Sequence, residues 1–121
     1  MQDYRKLRVW HRAHALSLDV YRLVRFRGSD RYELASQMRR AAASVPTNIA
    51  EGCKRRSPKE LAYFLDIAAG SAGELRYQLL LARDLALIEP GDYARLDDEA
   101  DAVQAMLCAL RQRVSGEKRR P

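Results

Sequence analysis

The sequence predicts an all-α protein, an antiparallel up-down-up-down four-helix bundle. Three observations carry the prediction: apolar residues recur every three or four positions almost throughout, no stretch alternates at period two for long enough to make a strand, and breaker-rich joins divide the chain into four segments. Four amphipathic helices with short joins close most simply into a bundle. A length of 121 residues suits one domain spanning 1–121, and 47% hydrophobic with 31% charged residues supply both a core and a solvated surface.

The first helix is expected over about 4–26, with Val9, Ala13, Leu16, Val20 and Leu23 on one stripe. It should stop at Arg27-Gly28-Ser29-Asp30, where Gly28 suits a left-handed C-cap and Ser29 or Asp30 the next N-cap. The second helix, about 31–54, carries Leu34, Met38, Ala41, Val45, Ile49 and Gly52 on its stripe. Pro46 interrupts it without putting the apolar spacing out of phase, which favours one helix kinked at Pro46 over two separate pieces.

The third start, Ser57-Pro58-Lys59-Glu60, combines an N-cap serine, a proline at the first helical position and a capping-box glutamate. Leu61, Leu65, Ala68, Ala72, Leu75, Leu79, Ala82 and Ala86 then follow at heptad spacing, so the helix is expected over 58–88. A second stripe beside this seam is polar at its centre, with Ser71, Glu74 and Gln78, as suits a subunit contact or channel lining better than a core. Gly70 and Gly73 should each cost about 1 kcal/mol relative to alanine in mid-helix. Close approach of another helix, in the same bundle or from another subunit, would offset that cost. Glu89-Pro90-Gly91-Asp92 is a turn with Asp92 as the expected N-cap of a last helix over 92–115, and a basic tail at 116–121 is expected to fray.

Charge is distributed unevenly. Lys plus Arg total 22 against 16 Asp plus Glu, a net +6, and only four of the cations are lysines. Residues 1–60 hold 14 cations and 6 anions, and residues 61–121 hold 8 and 10, so the halves carry +8 and −2. Arginine pairs with phosphate and carboxylate and stacks on flat rings, so the basic half fits RNA or DNA, an acidic protein or an anionic surface.

Several function classes lack their signatures. No Gly-rich phosphate loop, HExxH or zinc-spaced Cys/His pattern occurs, so no cofactor or metal is expected. Cys53 and Cys108 are too few for a disulfide framework and are expected as reduced thiols of a cytoplasmic protein. The longest uncharged run, 41–50, is half the roughly 20 residues of a bilayer span, and the charged N-terminus does not read as a secretory leader. His11 and His14 lie three apart on a helix without convergent carboxylates, which favours surface or interfacial roles over a metal site.

The string Leu34-Ala35-Ser36-Gln37-Met38-Arg39-Arg40-Ala41, followed by Ser44-Val45-Pro46-Thr47-Asn48-Ile49-Ala50-Glu51-Gly52, resembles the SQxRRA and S(I/V)PxNIAEG signature of one family. These are the four-helix-bundle proteins encoded within intervening sequences of bacterial 23S ribosomal RNA genes. Val9-Trp10, Ala13, Tyr21, Ser57, Phe64-Leu65, Ala68, Gly70-Ser71 and Glu74-Leu75 extend the likeness over about 7–88. Arg27-Gly28, Cys53-Lys54-Arg55-Arg56 and Arg76-Tyr77 depart from the family's usual residues. The resemblance implies a cytosolic bundle assembling into a ring of five with a basic surface. It also implies kinship with the nucleic-acid-binding accessory protein that works with the reverse transcriptase of diversity-generating retroelements. No enzymatic activity attaches to the family.

The residues expected to contact nucleic acid are Arg39, Arg40, Lys54, Arg55 and Arg56, with Arg5, Lys6, Arg8 and Arg12 next. An Arg40–Glu51 ion pair within one straight helix is excluded by the eleven-residue separation, but a pair between subunits is open. Pro46, Asn48, Glu51, Gly52 and Gly70 are expected to be structural. Asn48 and Glu51 should accept backbone amides near the proline rather than act as acid-base machinery, since no nucleophile accompanies them. Trp10, Tyr21 and Tyr63 are expected in core or interface packing, with base stacking as the alternative. The expected function is a homo-oligomeric basic bundle, non-enzymatic, that binds RNA or DNA or assists a nucleic-acid enzyme. The competing reading is a protein-only scaffold whose arginines meet Asp97, Asp98, Glu99 and Asp101 of a neighbouring subunit.

Overall fold

The computed structural model describes residues 2–26 and 28–116. A 3-10 turn at Tyr4–Lys6 leads into α1 (Arg8–Leu23), α2 (Ser29–Cys53), α3 (Pro58–Asp84) and α4 (Pro90–Ser115), and no strand occurs among the described residues. Each helix packs beside its neighbours in sequence, and α1 closes on α4. The polar links between helices run in opposite register: Asp66, Ala69 and Arg76 of α3 meet Arg111, Gln104 and Asp97 of α4. Ser44 of α2 meets Ser71 of α3, and Arg12 and Asp19 of α1 meet Glu99 and Arg95 of α4.

The apolar stripes meet on one axis. Val9, Ala13, Leu16 and Val20 of α1 and Met38, Val45 and Ile49 of α2 lie buried against Leu65, Ala68, Ala72, Leu75 and Leu79 of α3 and Leu96, Ala100, Val103 and Leu107 of α4. Each such leucine contributes roughly 1.5–3 kcal/mol by leaving water. The buried alanines, among them Ala13, Ala68, Ala72 and Ala100, are small enough to let helix axes approach.

Pro46 lies inside a single α-helix. Its ring nitrogen cannot donate to Ala42, and the next two side chains serve the following carbonyls. Thr47 Oγ1 donates to Ala43 O at 2.7 Å, and Asn48 Nδ2 donates to Ser44 O at 2.8 Å.

Element ends differ from expectation at several places, each for a local reason. The first helix starts at Arg8 because Asp3 caps a separate 3-10 turn and Gln2 N–H donates to Cys53 O at 2.9 Å, drawing the N-terminus across the end of α2. It stops at Leu23, so Val24 is buried in the stripe position expected of Leu23, which is exposed. Gly28 is the N-cap of α2 and not a C-cap: at φ 97°, a conformation open to glycine, its carbonyl accepts from Tyr32 N–H at 2.8 Å. The last helix starts at Pro90 with Glu89 as N-cap, and Asp92 instead occupies the first turn, where its charge suits the helix dipole.

The third helix ends at Asp84, four residues short of expectation. Ala86 adopts φ 58°, with its N–H donating to Arg83 O and Leu87 N–H donating to Ala82 O, both within 3 Å. That pair of bonds is a Schellman cap, here built on alanine in place of glycine. Ala86 is consequently exposed and outside the seam. Arg27 and the tail cations Lys118, Arg119 and Arg120 lie outside the described residues.

Candidate nucleic-acid interface

The four arginines and one lysine expected to bind polyanion form two groups. Arg39 and Arg40 sit in the first half of α2, while Lys54, Arg55 and Arg56 follow its C-terminus, about 21 Å farther along the axis from Arg40 to Lys54. Linear proximity in a motif does not make one patch on a rod.

The two groups are also occupied differently. At the far end, Arg55 Nη2 donates to Glu51 Oε1 at 3.1 Å and its guanidinium lies 4.8 Å from the centre of the Phe64 ring. Lys54 Nζ stands 4.0 Å from Glu51 Oε2. Among the described residues of one chain, Glu51 thus serves its own helix end and neither reaches Arg40 nor accepts a backbone amide. Arg56 is exposed beside Ser57 and Pro58 with no carboxylate partner among the described residues.

In the first half of α2, Arg39 Nη2 donates to Tyr21 O at 3.0 Å, serving a carbonyl that the last turn of α1 leaves open, and its guanidinium lies 5.2 Å from the Tyr21 ring centre. Its Nε–H is buried without an acceptor. Arg40 is exposed and has no carboxylate partner among the described residues.

Two of the residues expected to be structural tie α2 to α3, Asn48 by way of Ser44 and Gly52 by direct contact. Asn48 Nδ2 donates to Ser44 Oγ at 2.9 Å, and Ser44 Oγ is 2.8 Å from Ser71 Oγ. Asn48 therefore donates to its own helix and is not an acceptor of freed amides, because a proline strands a carbonyl and not an N–H. A Cβ on Gly52 would lie 2.9 Å from both Leu61 Cδ1 and Phe64 Cβ, so α2 and α3 touch there. Gly73 faces Gln104 Nε2 of α4, whereas a Cβ on Gly70 would meet nothing within 4 Å.

Ser71 and Gln78 of the polar stripe lie within the bundle, Gln78 buried and Ser71 half-buried, while Glu74 is exposed. Tyr21 and Tyr63 are exposed in the single chain, which removes the core half of the core-or-interface expectation, and Tyr63 touches Phe64 edge-on. Trp10 is half-buried, stacked on His14 and tilted against Tyr4. His11 Nε2 is 2.6 Å from Arg5 O, and among the described residues no three His, Cys, Asp or Glu side chains converge as a metal site. No described helix is long and apolar enough to cross a membrane.

Sequence reasoning missed the partners of the acidic residues on α4. Arg76 Nε and Nη2 form a fork on Asp97 at 2.9 and 3.3 Å, with Nη1 3.0 Å from Asp101, and Arg12 forks onto Glu99 at 2.9 Å through both nitrogens. These hydrogen bonds hold both guanidinium groups more firmly protonated than usual. The unusual arginine at position 76 was the available signal, but locating its acids needed the α3–α4 register.

Comparison with known proteins supports the fold and the family. A crystal structure of a protein of unknown function from the S23 ribosomal protein family of Bacteroides thetaiotaomicron superposes with a TM-score of 0.77 at 19% identity, covering 86% of this chain and 98% of that one. The search of curated proteins returns no match. The family model for the 23S rRNA-intervening sequence protein matches residues 5–109, and the chain belongs to that family.

Proposed function

We propose that this protein is a non-enzymatic, homo-oligomeric bundle of the cytoplasm that binds RNA or DNA through its basic first half, beside a nucleic-acid enzyme such as a reverse transcriptase. The observation that carries the reading is where positive charge goes unspent. Four of the five described second-half arginines, Arg76, Arg83, Arg95 and Arg111, touch a carboxylate, as do Arg5, Arg12, Lys54 and Arg55 in the first half. Arg8, Arg22, Arg25, Arg31, Arg40 and Arg56 in the first half touch none among the described residues. Unneutralised guanidinium groups on one part of a surface supply salt-sensitive, weakly sequence-specific affinity for phosphate.

The scaffold reading needs α4 acids that are free to meet a neighbour. Asp97, Asp101 and Glu99 are already held by arginines of the same chain, leaving Asp98 of the four. The oligomeric part of the proposal is supported by Gly70, whose cost in mid-helix no contact among the described residues offsets, and by exposed Tyr63 and Tyr77 one heptad to either side. The family resemblance favours a ring of five.

Titration of labelled RNA and DNA at about 50 and about 200 mM salt tests the proposal: binding in the low micromolar range at the lower salt and steep loss at the higher are expected. Absence of binding at the lower salt would overturn it. Charge reversal at the exposed Arg40, read by light scattering, separates the two functions. Assembly survives if the arginine serves nucleic acid and collapses if it serves a subunit contact.

A further inference from the structure

A cleft of about 540 Å³ opens between the end of α1 and the start of α2, within the size range of small-ligand sites. Arg25, Arg39 and Arg40 line it together with Tyr21, Phe26 and Tyr32, and no described carboxylate does. The arginines are not equivalent. Arg39 is held by the Tyr21 carbonyl and ring and keeps an Nε–H without an acceptor. Arg25 and Arg40 are exposed and unpaired among the described residues. Tyr32 leaves 70% of its surface in water and makes no ring contact within the described chain.

We propose that this cleft seats one unpaired nucleotide of a single-stranded nucleic acid, its phosphate against Arg25, Arg39 and Arg40 and its base against Tyr32. The chemistry favours this ligand over an acidic peptide. Guanidinium groups alone would accept either anion, but an exposed aromatic face beside them gains from a flat base and gains nothing from a carboxylate side chain. A duplex keeps its bases stacked inside and can offer this site only phosphates. The proposal rests on the reading of the chain as a nucleic-acid binder and adds strand preference and a named base contact.

The test is fluorescence anisotropy on the full chain with a labelled oligouridylate of about 12 nucleotides and a duplex of the same length at about 50 mM salt. The single strand is expected to bind more tightly, Tyr32→Ala to weaken it about tenfold with the duplex unaffected, and Tyr32→Phe to restore it. Arg40→Gln is expected to weaken both probes and lower the salt slope by about one. Binding of both probes with equal affinity and no effect of Tyr32→Ala would overturn the cleft assignment and leave the broader reading standing. Failure of both probes to bind would overturn both. Displacement of the strand by uridine monophosphate or polyglutamate as readily as by unlabelled strand would also overturn the assignment, identifying a free nucleotide or an acidic chain as ligand. Circular dichroism of each variant guards against unfolding, which the exposure of Tyr32 and Arg40 makes a small risk.

Discussion

Ala86 occupies a backbone conformation that suits glycine, and the left-handed region costs an L-residue roughly 1–2 kcal/mol. Ala86→Gly is expected to stabilise the fold by about 1 kcal/mol, seen as a rise of several degrees in Tm; a fall would contradict the cap. Gly52→Ala should act oppositely, costing roughly 1–3 kcal/mol, because Phe64 Cβ cannot move without its helix. The two cysteines differ as well. Burial, assisted by the Asp3 carboxylate, pushes the Cys53 thiol above its ordinary range, whereas Cys108 is exposed. An alkylating reagent at mildly alkaline pH should modify Cys108 and spare Cys53 until the chain unfolds; equal rates would contradict the packing. The unfolded chain gives up the Cys53 proton first. Its contribution to stability is therefore whole below the ordinary thiol pKa and declines as pH rises past it.

At the scale of elements, periodicity located all four helices and most of their buried faces, since a 3.6-residue stripe is a property of sequence alone. Ends were less legible. The stop of α3 depends on alanine adopting a glycine conformation, and the split before α1 depends on a bond from Gln2 to Cys53 that no local pattern encodes. The candidate site was half legible for the same reason. Arg39 and Arg40 were found from composition and motif, while Arg25 and Tyr32 join them only through the packing of α1 on α2. Gly70 tests the outer face of α3. With a subunit packed there, Gly70→Ala weakens self-association, read as a lower sedimentation coefficient at unchanged helicity. A more stable particle of unchanged size, by about 1 kcal/mol per protomer, would place the contact elsewhere.

For the whole molecule, the +6 of the sequence is a difference between an acidic half and a basic half, and among the described residues most charges of the first are paired and most cations of the second are not. In a ring of five, six charges per chain become about thirty on one particle, and a field of that size draws in polyanions at low salt whatever the local chemistry. The specific claim is that the unpaired arginines of α1 and α2, and Arg40 among them, make the contacts. The salt dependence of single-stranded RNA affinity for the native protein and for Arg40→Glu tests it most directly. A steep fall in log affinity with log salt is expected for the native chain, and both a weaker affinity and a shallower slope for the variant. Absence of binding at about 50 mM salt, or a slope that Arg40→Glu leaves unchanged, would contradict it.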